Sequence, residues 1–180
     1  TPLVFANFGL SPEGLKIVRE NVHAVMNLKT FEEQGWFKKP VSMIKSPSKK
    51  TIWIDLDCEI RDDISNLFNM LKPDMLNMVE DKPWTKRGQE LWHNSGVVGF
   101  IGKPPILYQW AKAIRENPVQ GDQEVLHLLL NPITKIKYIN DIPNEYNVLR
   151  LQTELDGYDG NIKVMHWTGA KGKDKIKAML

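Results

Sequence analysis

Asp55 and Asp57 flank a single leucine where the apolar run Ile52-Trp53-Ile54 ends. Two carboxylates one residue apart at such an end make a hard-oxygen site. It suits Mg²⁺ or Mn²⁺ held by few protein ligands and completed by substrate phosphates. The same residues also suit a turn, because Asp bonds readily to its own backbone. Downstream, Asp62 and Asp63 are available to cap the next helix, which leaves the earlier pair without an obvious local task.

Positioning that pair requires a strand that comes up for solvent, and the surrounding pattern provides one. TIWID is apolar enough to be covered on both faces, and Asp55 and Asp57 then lie at its carboxyl end, where ligands gather in open α/β sheets. Residues 3–8 (LVFANF), 75–80 (MLNMVE), 96–101 (GVVGFI), 135–139 (KIKYI) and 162–166 (IKVMH) read as further strands. Between them lie helical patterns. SPEGLKIVREN has Ser11 as cap and Pro12 at the first position, and FKKPVSMIKS becomes helical past Pro40. A helix from Asp62 or Asp63 carries Ile64, Leu67, Phe68 and Leu71 and closes before Pro73. PPILYQWAKAIREN and DQEVLHLLLN add two more. The alternation predicts one Rossmann-like α/β domain over residues 1–180, with a mixed, mostly parallel sheet flanked by helices.

Composition bounds the partners. With 180 residues, 42% of them hydrophobic, the chain can bury one good core. Its 24 Lys and Arg against 22 Asp and Glu leave a formal charge of +2, so no global field commits it to nucleic acid or anionic lipid. One cysteine, Cys58, cannot form an intrachain disulfide, and no Asn-x-Ser/Thr sequon occurs. No apolar run is long enough for a membrane span or a signal peptide. A reducing cytoplasm fits best. Cys58 reads as a small packed residue, Trp53 and Trp110 follow core periodicity, and Trp84, Trp92 and Trp167 fall in loops where they can stack on sugar or base rings.

The order of segments resembles GT-A fold glycosyltransferases, especially the glycogenin and bacterial galactosyltransferase type. KKPVSMIKSPSKKTIWIDLDCEIRDDISNLF is similar to that family's helix, strand, D-x-D and following helix. HNSGVVGF resembles its N-[AS]-G segment, GDQEVLHLLL its D-Q helix start, and VMHWTGAKGK its closing H-x-x-G element. Together these span residues 37–173. Two departures stand out: the family's usual lysine three places after the glycine is here Gly172, and the opening TPLVFANFGLSPEG looks like the family's second strand. The base-binding first β-α unit is therefore expected either to be missing or to be replaced by residues 3–8.

The resemblance implies a nucleotide-diphosphate sugar, generally a UDP-sugar, as donor, a carbohydrate or glycoconjugate as acceptor, and retention of configuration. It implies Asp55, Asp57 and His166 as metal ligands, with Asp55 also facing the donor; the imidazole favours Mn²⁺ over Mg²⁺. Left to itself, His166 also reads as a strand-end surface histidine or as one bonded to a backbone carbonyl. Asn94, Ser95 and Gly96 fall where the family shapes the sugar pocket, or form an ordinary turn. Asp122 and Gln123 resemble the pair beside the reacting sugar, and Asp122 also suits an N-cap. Trp167, Gly169 and Lys171 or Lys173 fit a diphosphate-contacting turn. Lys38 and Lys39 reach for phosphates or are surface charge, and Lys175 and Lys177 read as a solvated tail.

Two rival classes share parts of this pattern. A haloacid-dehalogenase-type phosphatase also places D-x-D after a buried strand, but here Glu59 stands where Thr or Val is common, and Leu126 where a later acid is needed. A catalytically inactive binding module is the other.

Overall fold

The computed structural model describes residues 1–29, 35–117 and 121–179. Its central sheet orders β3 (Lys50–Ile54), β6 (His93–Ile101), β5 (Leu76–Glu80) and β7 (Ile139–Asp141) side by side. β6 runs antiparallel to both neighbours, and β7 runs parallel to β5. A second sheet joins β4 (Cys58–Ile60), β9 (Val164–His166) and β8 (Val148–Leu149). A parallel pair, β1 (Val4–Asn7) with β2 (Ala24–Asn27), stands apart and brackets α1 (Pro12–Asn21). The architecture is the mixed α/β arrangement expected, although parallel ladders make up half of the six strand pairs among the described residues and not the majority.

The middle strands carry an apolar stretch on both faces because both faces are covered, with Asn77 the polar exception within it. Met78, Val98 and Phe100 point to one side, where they pack with Ile106, Trp110 and Ile114 of α5 (Pro105–Glu116) and Val125 and Leu126 of α6 (Asp122–Leu129). Val79 and Val97, one residue away on each strand, point to the other side and meet Leu67, Ile142, Tyr146 and Val164. Trp110 is wholly buried and donates its indole N–H to the carbonyl of Asp122 at 2.9 Å. Burying roughly 150–250 Å² of indole at ~25 cal/mol per Å² contributes about 4–6 kcal/mol. That contact also fixes the start of α6, and with it Asp122 and Gln123.

Several local expectations need correction. KIKYI is not a strand through Tyr138: Asn131 accepts from the Thr134 N–H, Pro132 starts the first turn, and α7 (Pro132–Tyr138) results, leaving only Ile139 to open β7. The helix expected from Asp62 or Asp63 shrinks to α3 (Leu67–Met70), because the Asp62 and Asp63 carboxylates turn the backbone locally onto the Asp63 and Ser65 N–H groups. Lys38 and Lys39 lie inside α2 (Lys38–Ile44) and not ahead of it; Pro40 sits in its first turn, where the missing N–H costs nothing. His93 to Gly96 extend β6 and form no turn, and Trp84 lies in α4 (Lys82–Gly88) and not in a loop. The lysine-rich end forms α9 (Gly169–Met179), in which Lys175 bonds Glu154 and lies over the Trp167 ring, so it is no free tail.

Candidate functional site

β3 delivers Asp55 to the edge of the central sheet, where its N–H donates to the Gly96 carbonyl at 2.8 Å. The chain then turns, with the Cys58 N–H on the Asp55 carbonyl at 3.1 Å, and enters β4 against β9. The Trp167 N–H donates to the Asp57 carbonyl at 2.8 Å. Backbone bonds therefore tie D-x-D to β6 on one side and to the end of β9 on the other. This brings His166 to Asp57, 109 positions earlier in the chain, with Nε2 3.3 Å from Oδ1.

The two aspartates of the motif do different things. Asp55 accepts from Trp53 Nε1 at 2.6 Å and from Lys39 Nζ at 2.8 Å. Lys39 is buried, and its ammonium also meets Asp122 Oδ2 at 3.1 Å, Ser95 Oγ at 3.0 Å and the Ser95 carbonyl at 3.1 Å. Burial alone pushes its pKa down, but the carboxylates of Asp55 and Asp122 outweigh it and hold the ammonium above its ordinary value. Asp55 is pushed up, first by burial and then because Lys39 only partly offsets this while Asp122 adds like charge. One ammonium serves two carboxylates, so the cation is amply compensated and the carboxylates are not. Asp57 is held below the ordinary carboxylate range: burial opposes this, but the hydrogen bond and charge of a protonated His166 prevail.

A hydrogen-bond chain settles which nitrogen of His166 carries a proton. Asp81 is the N-cap of α4, accepting the Trp84 N–H on Oδ1 at 3.1 Å, and its Oδ2 accepts from Asn94 Nδ2 and Gln123 Nε2, each at 3.0 Å. A carboxylate can only accept, so Asn94 must present its amide nitrogen to Asp81 and its oxygen the other way. That oxygen accepts from the Gly96 N–H at 2.9 Å and Asn147 Nδ2 at 2.8 Å. His166 Nδ1 lies 3.1 Å from Asn94 Oδ1 and 3.1 Å from Asn147 Oδ1. Facing two amide oxygens, Nδ1 must be the N–H, and in the neutral ring the lone pair is then on Nε2, toward Asp57. Two acceptors face each other across 3.3 Å, a gap that calls for a proton or a metal cation. Gly96 leaves the room for this arrangement, since a Cβ there would stand 2.2 Å from His166 Cε1.

The donor set fits a divalent ion: a carboxylate, an imidazole whose other nitrogen is already bonded, and a nearby thiol. Asp57, Cys58 and His166 bring their ligand atoms within 4.8 Å of one another, the one such group of three among the described residues. Burial first, then Asp55 and Asp57, push the Cys58 thiol up, so without a cation it is protonated and a poor nucleophile.

Beside this pair opens a cleft of about 230 Å³, lined by Lys39, Asp55, Asn94, Asp122, Gln123 and His166, with Trp36 and Trp84 among its walls. Gln123 spends its amide on the network, accepting from Asn94 Nδ2 at 3.0 Å and the Ser95 N–H at 3.2 Å. Other sequence candidates sit elsewhere. The Trp167 indole turns away to donate to Glu59 at 3.0 Å, Lys171 is exposed on α9, and Gly169 opens that helix with a φ of 75°. A Cβ at Gly172 would stand 2.1 Å from the Trp167 carbonyl, which explains why no lysine occupies that place. Sequence reasoning passed over Asp81 and Asn147. An Asp two places before Pro83 is an N-cap signal that points to Asp81, whereas nothing local marks Asn147.

No known protein-family profile and no curated protein matches the chain. Solved structures do. The glycosyltransferase GlyE of Streptococcus pneumoniae TIGR4 superposes with a TM-score of 0.67 at 15% identity, covering 93% of this chain and 47% of GlyE. A glycosyltransferase involved in glycosylation of the major capsid of PBCV-1 gives 0.66 at 12% identity and covers 98% of both chains. The galactosyltransferase LgtC, solved with donor and acceptor sugar analogues, gives 0.62 at 14%, covering 92% of this chain and 76% of LgtC. This chain thus has the GT-A glycosyltransferase fold, while spanning about half the length of GlyE.

Proposed function

We propose that the chain is a metal-dependent glycosyltransferase, moving a sugar from a nucleotide diphosphate, a UDP-sugar, to a carbohydrate or glycoconjugate acceptor with retention. The observation that carries this reading is the facing pair of Asp57 Oδ1 and His166 Nε2, 3.3 Å apart beside a polar cleft. Asp57 and His166 would hold the cation, Mn²⁺ or, less well matched to an imidazole, Mg²⁺. When bound, such an ion supplies Lewis-acid neutralisation of the departing diphosphate.

The chain's own residues supply position. Asp122 and Gln123 stand at the start of a helix pinned by Trp110, and the network through Asp81 and Asn94 holds Gln123 and Ser95 against the cleft. Lys39 keeps the Asp55 and Asp122 carboxylates together in one wall. Asp122 there offers acceptor oxygen to sugar hydroxyls, and Trp36 and Trp84 offer apolar faces to a ring. A phosphatase using Asp55 as nucleophile needs a free oxygen, but Trp53 Nε1 occupies one and Lys39 the other. Among the described residues no helix is long and apolar enough to cross a membrane; the cytoplasmic setting proposed here rests on the single cysteine.

The test is a thermal-shift screen of nucleotide sugars with and without Mn²⁺, followed by hydrolysis assays on whatever binds. A ligand at ~100 times its dissociation constant stabilises by roughly 2.7 kcal/mol. A shift with a UDP-sugar that needs Mn²⁺ supports the reading; no shift with any nucleotide sugar under either condition defeats it.

A further inference from the structure

Cys58 belongs to the cation site by its register. β4 and β9 pair antiparallel with Cys58 opposite His166, and residues opposite each other on neighbouring strands project to the same face. Asp57 enters from the turn just before β4. The ligand atoms of all three therefore lie within 4.8 Å of one another. His166 is buried to 5% exposure, its Nδ1 is spent on two amide oxygens, and its Nε2 lies 3.3 Å from Asp57 Oδ1 in the space these groups share. Oxygen, nitrogen and sulfur donors in one cluster are softer than a pair of carboxylates, and Asp55 is taken up by Lys39 and Trp53.

We infer that Cys58 is a third ligand of the cation held by Asp57 and His166, so that the site prefers a thiophilic divalent ion, Zn²⁺ or Co²⁺, to Mn²⁺. This rests on the reading of Asp57 and His166 as cation ligands. On ligation the S–H bond gives way to a sulfur–metal bond and the proton passes to solvent, with no change of oxidation state. With three protein donors, such an ion would keep room for a ligand from the substrate, as reactive zinc sites do.

Cobalt(II) reports whether Cys58 is a ligand and a parallel Mn²⁺ titration reports the preference, neither needing an activity measurement; Mn²⁺ bound as tightly as Co²⁺ overturns the preference. The whole chain is titrated with Co²⁺ under reducing conditions, following heat by calorimetry and absorbance in the near ultraviolet, where thiolate-to-cobalt charge transfer gives an intense band that oxygen and nitrogen ligands do not. Cys58 is the one cysteine of the chain, so a band at one equivalent can arise only from it. The expected result is a band that saturates with binding and vanishes in Cys58→Ser, with at least a ~10-fold loss of cobalt affinity, the scale on which even outer partners of metal sites act. Binding that Asp57→Ala and His166→Ala abolish, but that shows no such band in the parent, overturns the role of Cys58 and leaves the two-ligand site standing. Binding that is absent, or indifferent to Asp57→Ala and His166→Ala, removes the cation site itself and this inference with it.

Discussion

The carboxylate of Asp81 determines which nitrogen of His166 is protonated, although the two side chains communicate only through Asn94. Asp81→Asn tests this relay. The oxygen of the new amide is held by the Trp84 N–H at the helix cap, so its NH₂ group meets the NH₂ groups of Asn94 and Gln123. Turning Asn94 over relieves that clash at the cost of its bonds from the Gly96 N–H and Asn147 Nδ2, presents a donor to His166 Nδ1, and moves the ring proton to Nε2, which is then unavailable to a cation. The cap survives but the buried network loses bonds, so stability falls by about 1–3 kcal/mol, while Mn²⁺ or Co²⁺ affinity falls about 10–100-fold. Unchanged affinity by calorimetry would show that the relay does not matter.

Gly96→Ala attacks the same ring sterically. The new methyl would lie 2.2 Å from Cε1 and 2.4 Å from Nδ1 of a buried imidazole, so His166 must move. Crowding of this kind costs about 1–3 kcal/mol in urea unfolding, and cation binding weakens with it. A variant of parental stability and affinity would mean that the strand end gives way more easily than its burial suggests.

Lys39→Met removes the one ammonium shared by Asp55 and Asp122. Leaving buried carboxylates unpaired costs about 3–5 kcal/mol at neutral pH. The sign of the pH dependence follows from Lys39 being held above its ordinary value of 10.5. Its stabilising contribution is complete below that value and is lost as pH rises through the higher folded value. The gap between parent and variant should therefore be constant from pH 7 to 10 and close only in stronger alkali. Denaturant midpoints that converge below pH 9 would contradict the buried pairing.

Asp122→Asn separates a catalytic contact from a counter-ion role. Lys39 keeps Asp55, so stability falls only modestly. If Asp122 orients sugar hydroxyls, turnover of a bound nucleotide sugar falls by more than ~10²-fold, as misplacement of reacting groups does, with donor affinity altered less. Turnover within a few-fold of the parent would leave Asp122 as partner to Lys39 alone.

What could be read along the chain was whatever depends on near neighbours. Ser11 with Pro12 predicted α1 and the apolar residues of TIWI predicted a strand, because capping and burial are written within a few residues; that strand forms at the sheet edge with its two faces only partly covered. Local signals also misled. KIKYI has the composition of a strand, but Asn131 and Pro132 upstream had already started a helix, and that decided its conformation. Asp62 and Asp63 look like helix caps, yet their carboxylates close tight turns before the helix can begin. The D-x-D, N-S-G, D-Q and H-x-x-G segments were legible as a set.

What each of those residues does was decided by tertiary structure. No local signal separates Asp55, bound to a buried lysine from α2, from Asp57, which faces a histidine from the end of β9. Lys39 read as a phosphate contact or surface charge and is buried against two carboxylates; Asn147 gave no signal and helps orient His166; Cys58 read as packing and stands beside the cation pair. The reason is physical. Protonation states and ligand sets arise from donors and acceptors a few ångströms apart, and pairing of β4 with β9 and β3 with β6 joins atoms that lie scores of residues apart in the chain.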